Sequence, residues 1–211
     1  WLAATDPELM SAFAETRASR RKLRLFACAC CRLVWDLLAD NRCRIALGKL
    51  EEFADDIRNE KLRRDAYNTA NAVYRGLAFS GLGPAWSAAG ALVCAASPTV
   101  PPHFEGNVAN ALMGSRGIDR PSVRRLEADL VRELYGNPLR PVTVDPAWLT
   151  DTVVVLARGI YDDRAFDRLP ILADALQDAG CDADDLLTHF RDPNATHVRG
   201  CWALDLVLGK V

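Results

Sequence analysis

The stretch RRKLRLFACACCRLVWDLL, residues 20–38, indicates an α-helix and with it the fold class. On a helical wheel its apolar side chains gather on one face, which is typical of an amphipathic helix that packs on a core. The members of that face are Leu23, Phe26, Ala27, Cys30, Val34, Leu37 and Leu38. The pattern predicts a helix over residues 20–39, with Cys30 in the core.

Helical periodicity extends over nearly the whole chain. Gly180 is expected to close one helix and Asp182 to cap the next. We therefore predict an all-α protein, built as a compact multi-helix bundle or an irregular helical stack. Further helices are predicted near residues 6–17, 44–58, 60–79, 85–97, 121–135, 150–161, 163–179, 183–190 and 197–208.

Two segments rich in proline interrupt the helices. SPTVPPHFEGN, residues 97–107, is expected to be a loop. GNPLRPVTVDPAW, residues 136–148, is expected to be an extended connector that packs Val142, Val144 and Trp148 onto the core, because proline is excluded from helix interiors. The prediction is a single helical domain, in which two subdomains would meet at the 97–107 loop.

Composition and charge exclude several classes of protein. The formal net charge of −2 provides no overall attraction to nucleic acid, so a nucleic-acid partner is not expected. The longest apolar stretches are far shorter than the about 20 residues that a membrane span requires. Seven cysteines, an odd number in a chain without a recognisable export signal, favour reduced thiols, so we expect a cytoplasmic protein.

The cysteines at positions 28, 30 and 31 have two interpretations. Free cysteine is among the residue types most often buried, so packing at a helix interface is favoured. The alternative is a zinc site in which Cys28 and Cys31 are joined by His197 and Cys201, from THVRGCWALDLVLGK near the end of the chain. The last two are four residues apart and would share a face of the predicted last helix. We expect no cofactor, with zinc at these four residues as the alternative.

Three further sets of polar side chains could carry chemistry. A set of aspartates could line a pocket and hold Mg²⁺ or act as acid and base, although its first two members are expected to be helix caps. A basic cluster at the start of the first long helix is expected to be solvated. His103 has no recognisable partner. The aspartates are Asp162, Asp163, Asp167, Asp174 and Asp178, and the basic residues are Arg17, Arg20, Arg21, Lys22 and Arg24.

Four segments of the chain resemble the successive signatures of an uncharacterised domain family of planctomycete bacteria. They are RKLRLFACACCRLVWDLL, YGNPLRPVTVDPAW, IYDDRAFDRLPILADALQDAGCD and HVRGCWALDLVLGK. The resemblance covers nearly the whole chain and implies no established activity, cofactor or catalytic residue. Where similar proteins often read HCR, this chain reads HFR at residues 189–191, so that position has no thiol.

The patterns together predict a non-enzymatic protein-interaction or scaffold module. No catalytic grouping is recognisable, and apolar helix surface is abundant. We therefore expect a protein partner and no catalytic residue. The alternatives are a structural zinc-binding domain that uses the Cys and His residues above, and a hydrolase-like enzyme with an aspartate-lined pocket.

Overall fold

The computed structural model describes Trp1, Ala4, Met10 and residues 19–79, 81, 83–101 and 104–210. In this part of the chain there are ten α-helices and no strand, which confirms the predicted all-α fold. The helices are α1 (Arg20–Leu33), α2 (Asn41–Asp55), α3 (Glu60–Ala78), α4 (Pro84–Ala96), α5 (Phe104–Arg116), α6 (Arg120–Tyr135), α7 (Asp151–Asp163), α8 (Leu169–Asp178), α9 (Asp184–Arg191) and α10 (Trp202–Leu208). The predicted helix near residues 6–17 lies largely outside the described residues. None of the described helices combines the length and the apolar character needed to cross a membrane.

The chain divides into two compact units. The first lies between residues 4 and 130 and contains α1–α5 with most of α6. The second consists of Trp1 and residues 131–210. The division falls within α6, whereas the sequence placed a meeting of subdomains at the 97–107 loop.

Part of the predicted 97–107 loop is helical. α5 begins at Phe104, whose N–H donates to the carbonyl of Pro101 at 3.1 Å. Phe104, Val108 and Leu112 follow one another at four-residue spacing and are all buried. The apolar period of a helix therefore starts directly after the prolines, and the predicted loop is too long at its C-terminal end.

Helix α1 is packed on several sides within the first unit. It packs against α2, α4 and α5, and every residue from 24 to 31 is buried. Alanine and cysteine are small, so neighbouring helices can approach α1 on several sides. Cys28, Cys30 and Cys31 fill these interfaces, as the packing interpretation predicts. Burial raises the pKa of the Cys31 thiol to about 12.

Helix α1 ends at Leu33, not near residue 39. The N–H of Val34 bonds back to the carbonyl of Cys31, and a 3-10 turn over Trp35–Leu37 follows. The ring of Trp35 lies 4.6 Å from the guanidinium carbon of Arg32 and 5.2 Å from that of Arg44. These cation–π contacts hold the tryptophan between the two helices and direct the chain from α1 into α2.

Helices α7–α10 form the core of the second unit. α8 packs on α7 and α9, and α10 packs on the same two helices. Val142, Val144 and Trp148 of the connector lie against this core, which confirms their predicted packing. Gly180 follows the end of α8 with a φ of +90°, as expected for a glycine that closes a helix.

The predicted aspartate caps of the second unit are wrong. The N-cap position of α9 is Ala183, not Asp182, and it makes no side-chain hydrogen bond. Asp162 and Asp163 are the last two residues of α7 and do not cap a following helix. A 3-10 turn separates them from α8, so the carboxylates lie too early in the chain to reach its free N–H groups.

Helix α10 begins at Trp202, not near residue 197. Gly200 has a φ of +92°, a left-handed conformation that interrupts a helix. The N–H of Cys201 donates to the carbonyl of Val198 at 3.0 Å, which closes a turn ahead of the helix. His197 therefore lies just before this turn and Cys201 ends it, so the two do not share a helix face.

Candidate metal centre

One group of His, Cys and acidic side chains in the described residues brings its donor atoms close enough to hold a metal ion. It consists of Glu133, His189, His197 and Cys201, whose ligand atoms all lie within 4.8 Å of one another. Glu133 is in the last turn of α6, His189 is in the last turn of α9, and the other two are in the turn before α10. We call these four residues the Glu-His-His-Cys cluster. All of them belong to the second unit.

The donor atoms of the cluster converge on a common centre. Nδ1 of His197 lies 3.2 Å from Oε1 of Glu133, and Nε2 of His189 lies 3.3 Å from Oε2. The same Nε2 is 3.2 Å from Sγ of Cys201. One imidazole nitrogen carries a single proton or a single lone pair. Nε2 of His189 therefore cannot form a full hydrogen bond to both Oε2 of Glu133 and Sγ of Cys201. A metal ion bound between the donor atoms would be a partner that this nitrogen shares with the thiol and the carboxylate.

The two N–O distances within the cluster are compatible with a tetrahedral metal site. Zinc bound at about 2.0–2.1 Å by nitrogen and oxygen places two such donors about 3.3 Å apart. Charge-assisted hydrogen bonds are shorter, about 2.7–2.9 Å. A Zn–S bond of about 2.3 Å requires Sγ of Cys201 to move outward by roughly a few tenths of an ångström.

The cluster is nearly closed to solvent. The side chains of Glu133 and His197 are 6% and 8% exposed, that of His189 is 17% exposed, and Cys201 is fully buried. Burial alone would raise the pKa of the Glu133 carboxyl, but hydrogen bonds from both imidazoles outweigh it and lower that pKa. Burial, with the nearby Glu133 charge, raises the pKa of the Cys201 thiol well above its usual value. This thiol is therefore deprotonated only if a nearby positive charge, such as a bound metal ion, stabilises the thiolate.

Aromatic rings surround the imidazoles of the cluster. The ring of Trp202 lies 5.1 Å from that of His189, and the ring of Phe166 lies 6.5 Å from that of His197, measured between centroids. The two imidazoles meet edge to face at 5.0 Å. Rings held in place by such packing need little rearrangement to bind an ion.

Replacement of Gly136 by alanine is expected to destabilise the second unit by about 2 kcal/mol. Gly136 follows α6 with a φ of +64°, and a Cβ at this position would lie 2.9 Å from the Trp202 ring. An L-residue in this conformation is strained, and Trp202 must also shift against His189. Urea unfolding of the variant and the parent protein measures the loss.

The matched control for this variant is Gly117→Ala. Gly117 has a φ of +63°, and no atom of the described residues lies within 4 Å of an added Cβ. This substitution therefore carries the conformational cost without the contact. Equal losses in the two variants would show that the approach of Trp202 to Gly136 contributes nothing.

Of the four residues that the sequence suggested as zinc ligands, the structure brings two together. His197 and Cys201 belong to the cluster. Cys28 and Cys31 lie in the packed interfaces of α1, in the first unit, and are not part of it.

Two members of the cluster were not found from the sequence. The sequence patterns pointed to His189 only as part of the HFR segment, and none of them pointed to Glu133. Glu133 does have a signal, because an acidic residue in the last turn of a helix opposes the helix dipole. Such a residue, placed between the apolar side chains of Val131 and Leu134, is a reason to look for a positive partner.

The other polar sets named from the sequence are dispersed. Asp174 forms a surface ion pair with Arg191 at 2.6 Å. In the basic cluster, Arg20 is exposed, Arg21 pairs with Asp55, and Arg24 is buried, so this set does not form the solvated group that was predicted. Arg17 and His103 lie outside the described residues.

A cavity of about 470 Å³ lies in the first unit and has a mainly apolar lining. Its one carboxylate, Asp40, is paired with Arg42 at 2.7 Å. None of the aspartates suggested for an enzyme lines it, so this cavity gives no support to the hydrolase alternative. The lining residues are Leu37, Leu38, Ala39, Asp40, Arg42, Cys43, Ala72, Val73, Gly76, Leu77, Ala85 and Ala89.

No family model, curated protein or solved structure matches this chain. The interpretation of the cluster therefore rests on its geometry and its donor chemistry.

Proposed function

We propose that the protein is a structural zinc-binding domain in which the Glu-His-His-Cys cluster holds one ion. The observation that carries the proposal is that four donor atoms, from two buried and two half-buried side chains, lie within 4.8 Å of one another. Two imidazoles, a thiolate and a carboxylate suit zinc, whereas Mg²⁺ and Ca²⁺ prefer oxygen donors alone. Four protein donors fill a tetrahedron, so the ion would stabilise the fold and leave no open position for a substrate.

The charge of the cluster supports the same proposal. An ionised carboxylate is costly to bury without a positive partner. A divalent ion bound by one carboxylate and one thiolate is electrically neutral, so the complete site can be buried at little electrostatic cost. Without a metal ion, the carboxylate of Glu133 is stabilised by hydrogen bonds from the two imidazoles and from the N–H of Val198, at 3.2–3.3 Å.

The first test is the intact mass of the full chain, purified with zinc in the medium and without chelators. Under native conditions we expect a mass excess of one zinc ion per chain, which is lost on denaturation. A bare polypeptide mass would contradict the proposal and leave the cluster as a hydrogen-bonded network.

A pair of glutamate variants tests the ligand assignment. Glu133→Gln is expected to lower the zinc affinity by roughly tenfold or more, because a neutral amide replaces an anionic ligand. Glu127→Gln is the matched control, since Glu127 lies on the same helix, is also buried and is outside the cluster. Equal affinities of the two variants would remove Glu133 from the ligand set.

The other functions inferred from the sequence stay predictions. They are the protein-interaction module and the hydrolase-like enzyme. We also propose, on the resemblance of the four segments, that the chain belongs to the planctomycete family described above. One of those segments, HVRGCWALDLVLGK, contains His197 and Cys201.

A further inference from the structure

We infer that zinc acts as a conformational switch confined to one part of the molecule. In this inference the ion keeps α9 and α10 packed in the second unit, and its removal releases them while the first unit stays folded. The inference rests on the proposed function, since it requires the cluster to bind the ion.

The first argument is the way in which the ligands are distributed along the chain. Glu133 and His197 are 64 residues apart, and His189 and Cys201 are 12 residues apart. An ion that joins all four closes one long chain loop, between Glu133 and His189, and two short ones, from His189 to His197 and from His197 to Cys201. Closing such loops removes conformational freedom from the opened state and thereby favours the packed one.

The second argument is the small size of the helices that the ion would hold. α9 has eight residues and α10 has seven. Isolated helices of this length do not persist in water, so both depend on tertiary contacts. α10 packs Ala203, Leu204 and Val207 into the core, and its N-cap residue is Cys201. The ion would therefore fix the end of α9 and the start of α10 at one point.

The third argument concerns the segment between these helices, residues 192–200, which contains no helix. The N–H of Val198 and Nδ1 of His197 both contact Oε1 of Glu133, at 3.3 and 3.2 Å. These contacts attach the segment to α6 through the cluster itself. The segment also contacts α7, because the guanidinium carbon of Arg199 lies 4.6 Å from the centre of the Tyr161 ring, so the ion would add to an existing attachment.

The first unit is not expected to respond to the removal of zinc. All four ligands lie between residues 133 and 201, outside it. Its helices α1–α5 are held by side-chain packing, with Cys28, Cys30 and Cys31 in the interfaces. Zinc held by these four side chains would therefore be coordinated by no described residue of this unit.

Hydrogen exchange followed by mass spectrometry on the full chain tests the inference. The zinc-loaded protein is compared with the same protein after chelation and removal of the chelator. We expect amides of residues 186–208 to lose protection by roughly tenfold or more, because local opening becomes easier. Amides of α1–α5 are expected to change by less than about twofold. The Cys181→Ser variant should respond to chelation as the parent protein does, since Cys181 is outside the cluster.

Each result of this experiment has a distinct meaning. The inference is overturned if zinc binds but its removal changes the protection of no region, or changes that of both units alike. The proposed function remains intact in either case. A protein that binds no zinc overturns the proposed function, and the inference with it. Protection lost from α9, α10 and the segment between them, with α1–α5 unchanged, supports both.

Discussion

Replacement of Cys201 by serine is expected to lower the zinc affinity of the protein by about 100-fold or more. A thiolate is the softest and most strongly bound donor of the cluster, and a serine hydroxyl is a poor ligand for zinc at neutral pH. Competition against a chromophoric chelator measures the affinity. With Co²⁺ in place of zinc, the parent protein should show a sulfur-to-cobalt charge-transfer band that the variant lacks.

Cys181→Ser is the matched control for this experiment. Cys181 is 4% exposed, lies in the core of the same unit and is not in the cluster. Both substitutions bury a hydroxyl in place of a thiol, so both carry a similar loss of folding stability. The difference between the two variants therefore isolates the metal. If they bind zinc equally well, Cys201 is not a ligand.

The candidate site could be predicted in part, because only two of its four residues are close to each other in the sequence. His197 and Cys201 are close in the chain and were selected for that reason, although on the assumption of a shared helix. Gly200 between them is the residue that makes a turn there, and its left-handed conformation is a tertiary outcome. Glu133 comes from a different helix, and no spacing rule connects positions so far apart.

The CxxC spacing led the sequence analysis toward Cys28 and Cys31. In a tight turn, both sulfurs of such a pair can bind one ion. Within α1, however, the two residues lie about one helical turn apart and are buried in the packing between helices. Burial of both thiols follows from the small residues around them and requires no ligand. Pattern and local conformation must therefore be considered together before cysteines are assigned to a metal.

The fold was more accessible to prediction, because helical periodicity is a local property. α3, α4, α6 and α7 begin and end close to the predicted residues. One helix, α5, was not predicted, and α8 begins at Leu169, whereas a start near residue 163 was predicted. The remaining errors lie at helix ends, as at Leu33 and Trp202. Aromatic and guanidinium contacts between helices set the first of these ends, and they are not visible in a single periodic segment.

Replacement of Arg24 by methionine is expected to destabilise the first unit by about 3 kcal/mol. Arg24 was expected to be a solvated residue at the start of a helix, but it is 7% exposed. Its guanidinium donates to the carbonyls of Ala95, Ser97 and Pro98, at the C-terminal end of α4, where the helix dipole favours a cation. Methionine preserves the apolar stem and removes the donor to the buried carbonyl of Ala95 and to the less buried carbonyls of Ser97 and Pro98. Urea unfolding followed by circular dichroism measures the change.

Arg20→Met is the matched control for Arg24→Met, because Arg20 is the exposed first residue of the same helix. A surface substitution of this kind is expected to change the free energy of unfolding by less than about 0.5 kcal/mol. Burial lowers the pKa of the Arg24 guanidinium, because the surrounding helices keep its charge from water. If Arg24→Met is as mild as Arg20→Met, water must reach the end of α4 and replace the guanidinium there. The larger loss would instead establish that a buried cation, contributed by α1, completes the last turn of α4.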